Sequence, residues 1–246
     1  MNRLITIPFS HYCEKARWAL DLSAIPYQEE GHLPLLSRKA TRPYGTRLVP
    51  ILVTPSQVYK DSTDILGFVD TVHKLYPTDT TARRDCLTLE DELDERFGPQ
   101  TRRLAYFHLL DAREAFDAII AMAPVPTWQR RMIKVLRPVT IAVMKKGLGI
   151  DRPRAERSEK RVRETFDQMS ARLETSPYLC GDTFTAADLT FASLASPLLL
   201  PSEHPIGWPP RSTLTPAYLA LSESLRATRA GAHALRCYSA HRRPPT

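Results

Sequence analysis

Leu4-Ile-Thr-Ile-Pro-Phe-Ser-His-Tyr-Cys-Glu-Lys-Ala-Arg-Trp-Ala-Leu-Asp-Leu-Ser23 changes its periodicity partway along. Residues 4–8 are rich in β-branched side chains, which suits a short strand. Over 11–23 the apolar Ala16, Ala19 and Leu20 fall at helical spacing. The stretch therefore reads as a strand handing over to a helix, with the handover at Phe9-Ser10. A helix leaves its first backbone N–H groups without intrahelical acceptors, so such a start, opening on a cleft, favours an anion.

Working outward, a second strand is expected at 26–30, followed by a weakly patterned segment up to Tyr44. Val49-Pro-Ile-Leu-Val53 reads as a strand, Thr54-Pro-Ser56 as a turn, and 57–60 as the return of a hairpin. Ile65, Phe68, Val69, Val72 and Tyr76 then lie on one face of an amphipathic helix that Pro77 ends. The order βαβ, a connection, then ββα within 76 residues suits a thioredoxin-type unit better than a longer doubly wound sheet. Residues 77–81, Pro-Thr-Asp-Thr-Thr, read as a linker. Beyond it alternation disappears, and helices are expected at 82–110, 112–122, 127–147, 154–175, 185–199, 213–227 and 230–240. The expected organisation is an α/β thioredoxin-like domain over 1–76 and an all-α domain over 82–246, with the closing His-Arg-Arg-Pro-Pro-Thr frayed.

With 43% hydrophobic and 25% charged residues, the chain has the composition of an ordinary globular protein. No apolar run reaches membrane-spanning length, because Lys145-Lys146 interrupts the best candidate. Cys13, Cys86, Cys180 and Cys237 lie far apart, without a CxxC pair or metal-ligand spacing, which points to a reducing compartment and away from disulfides or zinc. The opening residues lack the apolar core and cleavage site of a secretory signal, so a cytoplasmic location is expected. Neither HExxH nor GxxxxGK[ST] occurs, and Gly147-Leu-Gly149 lacks the third glycine of a dinucleotide loop.

The net charge of +7 is unevenly placed: residues 1–80 hold nine of the 34 Lys/Arg and eight of the 27 Asp/Glu, so the excess belongs to the helical part. It concentrates from Trp128-Gln-Arg-Arg-Met-Ile-Lys-Val-Leu-Arg137 through Lys145-Lys146 to Arg163. The favoured reading is an amphipathic helix whose apolar face covers a pocket and whose cations are solvated. Membrane contact through 130–163 is the less favoured one. No nucleic-acid partner is expected, since no recognised binding motif accompanies the charge.

Ser10-His-Tyr-Cys13 resembles the CxxC element of glutaredoxins with serine in place of the first cysteine, as in serine-type glutathione transferases. Three further motifs are similar to that family's. Val49-Pro50 stands at its cis-proline position, and Asp61-Ser62 at its acidic-serine helix start. Gly181-Asp-Thr-Phe-Thr-Ala-Ala-Asp-Leu-Thr-Phe191 resembles its buried capping box, with Thr185 as cap and Asp188 three residues on. The chain departs from the family in having Asp61 where Glu or Gln is usual, and a longer, more basic segment at 124–160.

The resemblance implies a thioredoxin-like domain followed by an all-helical one, in a homodimeric enzyme of detoxification. Glutathione would be the co-substrate, with no metal or redox cofactor, and a small apolar electrophile the second substrate. Ser10 is the implied catalytic hydroxyl, donating to the glutathione thiolate. Val49 and Pro50 would hold the cysteinyl part, Asp61 and Ser62 the γ-glutamyl group, and Arg47 or Arg42 the glycyl carboxylate. Ser10 also suits a plain N-cap role. Cys13 is a rival reactive group, and His11 and Tyr12 are pocket or solvent residues. Thiol-disulfide exchange, peroxide reduction and a non-catalytic binding module are the competing functions, although Ser10 argues against the first.

Overall fold

The computed structural model describes residues 1–242. A four-stranded sheet has the order β2-β1-β3-β4, formed by β1 (Asn2–Thr6), β2 (Tyr27–Gly31), β3 (Ile51–Val53) and β4 (Val58–Tyr59). Strand β1 pairs in parallel with β2, from Asn2↔Tyr27 to Thr6↔Gly31, and antiparallel with β3, from Arg3↔Val53 to Ile5↔Ile51. Strands β3 and β4 form the expected hairpin. β1 stops short of Pro8 because the chain has already turned: the Ile7 carbonyl accepts from Ser10 N at 2.9 Å and Ile7 N–H faces Cys13 Sγ at 3.5 Å.

Helix α1 (His11–Leu22) has every residue buried except Tyr12. Its apolar residues Ala16, Trp18, Ala19 and Leu20 are fully buried in the main core. Its charged residues tolerate burial because each is paired. Arg17 donates to Glu29 Oε1 at 2.9 Å and to Glu14 Oε2 at 2.5 Å. The weakly patterned segment contains a short helix, α2 (Ser37–Thr41), and one 3₁₀ turn, Arg42–Tyr44. Helix α3 (Ser62–Asp70) ends before the expected stop at Tyr76. Asp70 Oδ1 accepts from Leu75 N at 2.9 Å and Tyr76 N at 3.0 Å, folding the chain back. Leu75 and Tyr76 are buried by that turn and Val72 is left outside.

From Thr80 onward the described chain is helical: α4 (Thr80–Glu92), a π turn Leu93–Phe97, α5 (Gly98–Leu109), α6 (Arg113–Met122), α7 (Thr127–Val135), α8 (Arg137–Leu148), α9 (Arg152–Arg172), α10 (Ala186–Leu199), α11 (Pro216–Arg226) and α12 (Arg229–His241). All residues of α10 are buried, and α1, α4, α5, α11 and α12 pack around it. The helix expected over 127–147 breaks at Leu136 (φ −91°, ψ 18°), because Pro138 in the first turn of α8 has no N–H to continue α7.

The expected fraying of the closing residues does not hold for the two that are described. His241 closes α12, and the buried Arg242 donates to Glu14 Oε1 at 2.7 Å and Asp21 Oδ2 at 2.8 Å, tying the chain to α1. The remaining 243–246 lie outside the described residues. The architecture is a mixed sheet with helices followed by an all-helical region, as the motifs implied.

Candidate functional site

Strand register places the N-terminal motifs together. β1 and β2 run parallel, and β4, antiparallel to β3, runs the same way as β1. The end of β1 that leads into Ser10, the start of β3 after Pro50 and the end of β4 before Asp61 therefore share one end of the sheet. Two helices begin there. Ser10 caps α1, its Oγ accepting from Cys13 N at 3.4 Å, and Asp61 caps α3, its carboxylate accepting from Thr63 N at 2.9 Å. Their N–H groups and dipoles make this end of the sheet attractive to anions. The Val49–Pro50 peptide is cis.

The candidate residues differ sharply in what surrounds them. Ser10 is half-buried; its Oγ accepts the cap bond, and its hydroxyl also lies within hydrogen-bonding reach of the Cys13 thiol. Ser62 is 1% exposed and its Oγ has no hydrogen-bond partner. Asp61, Arg42 and Arg47 are exposed, and Val49 is half-buried. Cys13 is fully buried, and burial pushes its thiol up to about 11, so it is held as the neutral thiol at neutral pH.

His11 and Tyr12 face the helical region. His11 is buried, which lowers its pKa to about 3, so the neutral ring donates from Nε2 to Gly98 O at 2.9 Å. Tyr12 donates to Asp94 O at 2.7 Å, and a Cβ at position 98 would stand 2.2 Å from the Tyr12 hydroxyl, so this contact requires glycine there. Both acceptors belong to the π turn or its edge, where the widened helix exposes carbonyls to α1. Beside them Lys15, fully buried, pairs with Glu90 and with Asp94 Oδ2 at 2.6 Å, while the single Thr63 hydroxyl lies within hydrogen-bonding distance of both carboxylates. Burial raises the Asp94 pKa, with Lys15 opposing.

Sequence reasoning expected the basic helix from Trp128 to cover a pocket, but it did not name the residues that close this end from the helical side. Arg102 and Tyr106, one turn apart on α5, lie near enough to His11 and Cys13 to act on them electrostatically. Gln129 of α7 accepts from Leu33 N at 2.9 Å and meets His32 Nδ1 at 3.0 Å. A Cβ on Gly31 would meet Pro124 O at 2.7 Å, so this crossing is tight. A second apolar cluster continues outward from Phe9 and Leu33 to Phe116, Ile120 and Ile133. Only the glycine at 31 carried a local hint of close approach.

The capping box of α10 forms as expected, with Thr185 at the cap. Asp188 Oδ2 accepts from Thr185 N at 3.0 Å and Thr185 Oγ1 at 2.9 Å, and Oδ1 from Leu179 N at 2.9 Å and His233 Nε2 at 2.8 Å. Asp188, His233 and Cys237 are the one group among the described residues with metal-ligand proximity. Arg236 donates to His233 Nδ1 at 2.8 Å, so His233 holds its proton on Nε2 toward Asp188, and the donor set is occupied by the cap.

Comparison with known proteins places this arrangement. Residues 4–77 match the model of the glutathione S-transferase N-terminal domain, and 152–215 that of the glutathione S-transferase C-terminal domain. No curated protein sequence matches. Among solved structures, a possible glutathione S-transferase from Rhodopseudomonas palustris is 18% identical with a TM-score of 0.58, over 96% of this chain and 92% of that one. Glutathione transferase F2 from Populus trichocarpa is 17% identical with a TM-score of 0.56, over 97% and 99%. The β-etherase LigF from Sphingobium is 15% identical with a TM-score of 0.61, over 96% and 98%. With both domain models matched in order on a sheet-then-helices architecture, the chain belongs to the glutathione S-transferase family.

Proposed function

We propose that the protein is a homodimeric glutathione transferase that joins the glutathione thiolate to small apolar electrophiles. The observation that carries this reading is the convergence of two helix N-termini, with Ser10 and the unpartnered Ser62 hydroxyl, at one end of the sheet. Glutathione brings a thiolate and carboxylates, the groups that free N–H and hydroxyl donors suit. In this reading Asp61 and Ser62 take the γ-glutamyl group, the backbone at Val49-Pro50 the cysteinyl part, and Arg47 or Arg42 the glycyl carboxylate.

Ser10 accepts from the helix through a lone pair, so its O–H can turn from the neighbouring Cys13 thiol to donate to the glutathione sulfur. A hydrogen bond to a charged group contributes about 1.5–3 kcal/mol, or about 10- to 100-fold in thiolate population. Proximity does the rest, since the electrophile brings its own reactivity. Phe9 and Tyr106, half-buried over the second apolar cluster, supply an apolar wall against which it would rest. Cys13, buried and protonated, has no part in the chemistry, which also disfavours thiol exchange at this helix start.

The test is turnover on a panel of activated aryl halides, enones, aryl ethers and hydroperoxides, with retention on immobilised glutathione. Ser10→Ala should lower conjugation about 10- to 100-fold and raise the apparent pKa of the rate profile, while Cys13→Ser retains activity. Full activity in Ser10→Ala removes serine from the mechanism. Failure to bind glutathione at all sinks the enzyme reading in favour of a binding module.

A further inference from the structure

The basic stretch expected to turn its apolar face inward does so only in part. α7 buries Gln129 and Ile133, and α8 buries Thr140 and Met144. Left outside are Trp128 at 56% exposure, Val135 at 79%, Leu136 at 45%, Val139 at 60% and Val143 at 42%. Half of the ten large apolar side chains exposed among the described residues thus fall within 128–143. They follow the helical repeat: Trp128, Arg131 and Val135 share the outer face of α7, Val139, Val143 and Lys146 that of α8, and Val135-Leu136 joins the two. Such a run of outward apolar residues is a surface that something covers.

Charge identifies the cover. No Asp or Glu occurs between Asp117 and Asp151, while Arg130, Arg131, Lys134, Arg137, Lys145 and Lys146 do. Lys145 is paired with Asp111 at 2.7 Å, and Arg137 lies over the Phe116 ring at 5.3 Å. Arg131, Lys134 and Lys146 are exposed beside the apolar residues. Next to them a cavity of about 440 Å³ opens between α6 and α7, with Phe116 and Ile120 as its floor, Arg130, Arg131 and Lys134 along its wall, and Asp117 its one acid. Apolar depth under a cationic rim fits a phosphate headgroup with the first carbons of its chains. A second copy of the chain fits badly, because a two-fold contact would set like-charged faces against each other.

We propose that α7 and α8 dock this protein on an anionic phospholipid bilayer, with Trp128, Val135, Leu136, Val139 and Val143 seated among the acyl chains and Arg131, Lys134 and Lys146 at the phosphates. The mode is interfacial: no helix among the described residues is long and apolar enough to cross a membrane. The docking is independent of glutathione chemistry, so either can fail alone.

The test is sedimentation of the full chain at about 0.15 M salt with vesicles of phosphatidylcholine alone or with one-third phosphatidylglycerol. Co-sedimentation with the anionic vesicles is expected, with a blue shift in tryptophan emission that Trp128→Phe removes. Arg131→Gln with Lys134→Gln should weaken binding about thirtyfold, two cations at about 1 kcal/mol each, and leave the melting temperature unchanged. Val139→Asp with Val143→Asp should abolish binding; should that pair misfold, the glutamine pair and the Trp128 emission decide. The proposal is overturned by no association with anionic vesicles, or by association that neither lipid charge nor the glutamine pair alters. It is equally overturned if the aspartate pair dissociates a dimer that never bound vesicles, which makes the face a contact between copies.

Discussion

Removing the Asp188 side chain tests whether the helical region is organised as described. The carboxylate is fully buried and accepts four hydrogen bonds, from the backbone N–H of Leu179 and Thr185, the Thr185 hydroxyl and His233 Nε2. In Asp188→Ala these four donors remain buried without their acceptor. Each unpaired donor costs about 1–3 kcal/mol, but the costs overlap as the site relaxes, and breaking a buried polar cluster at one member typically costs about 3–5 kcal/mol. A loss of about 4 kcal/mol is a large part of the 5–15 kcal/mol of a typical folded domain, and at this chain length it lowers the melting temperature by about 8–16 °C. Asp188→Asn keeps one carbonyl acceptor and should lose about half as much. Urea unfolding followed by circular dichroism measures both variants, and glutathione affinity of the folded fraction serves as the control. A variant that melts with the parent yet has lost turnover would mean that Asp188 acts in the chemistry and that the capping account is wrong.

Other expectations concern the surroundings of α1. Lys15→Met leaves Glu90 and Asp94 buried together without their cation and should destabilise by about 3–5 kcal/mol; adding Glu90→Met should recover part of it, and an unchanged melting curve in the single variant would refute the pairing. His11 is held neutral with its pKa lowered to about 3, below the ordinary 6.5, so its contribution is full above pH 6.5 and is lost as pH falls toward 3. At pH 5 that loss amounts to about 2 kcal/mol, and a stability profile whose acid slope is the same in His11→Gln would contradict it. Of the four cysteines only Cys180 is partly exposed, but its hydrogen bond with Cys86 and its partial burial hold it as the thiol, so prolonged alkylation of the native protein should label Cys180 slowly and spare Cys13, as peptide mass spectrometry can read; early labelling of Cys13 would put a reactive thiol back at the helix start.

The strand-to-helix handover at Ser10, the hairpin after Pro50, the helix start at Asp61-Ser62 and the capping box at Thr185 and Asp188 were all legible in the sequence. Each is written in residues a few positions apart, and strands of fixed direction then bring the first three to one end of the sheet. What decided the rest lay far along the chain. His11 and Tyr12 are adjacent to the proposed catalytic serine, yet both rings are occupied by carbonyls of Gly98 and Asp94, which a π turn brings within reach. Arg242 is held by Glu14 and Asp21, more than two hundred residues earlier. In α7 and α8 the hydrophobic repeat marked residues that need cover, and which of them the protein covers depended on the neighbouring helices. Periodicity records a side chain's relation to its own helix or strand, whereas burial and ion pairing depend on partners that only the packed chain supplies.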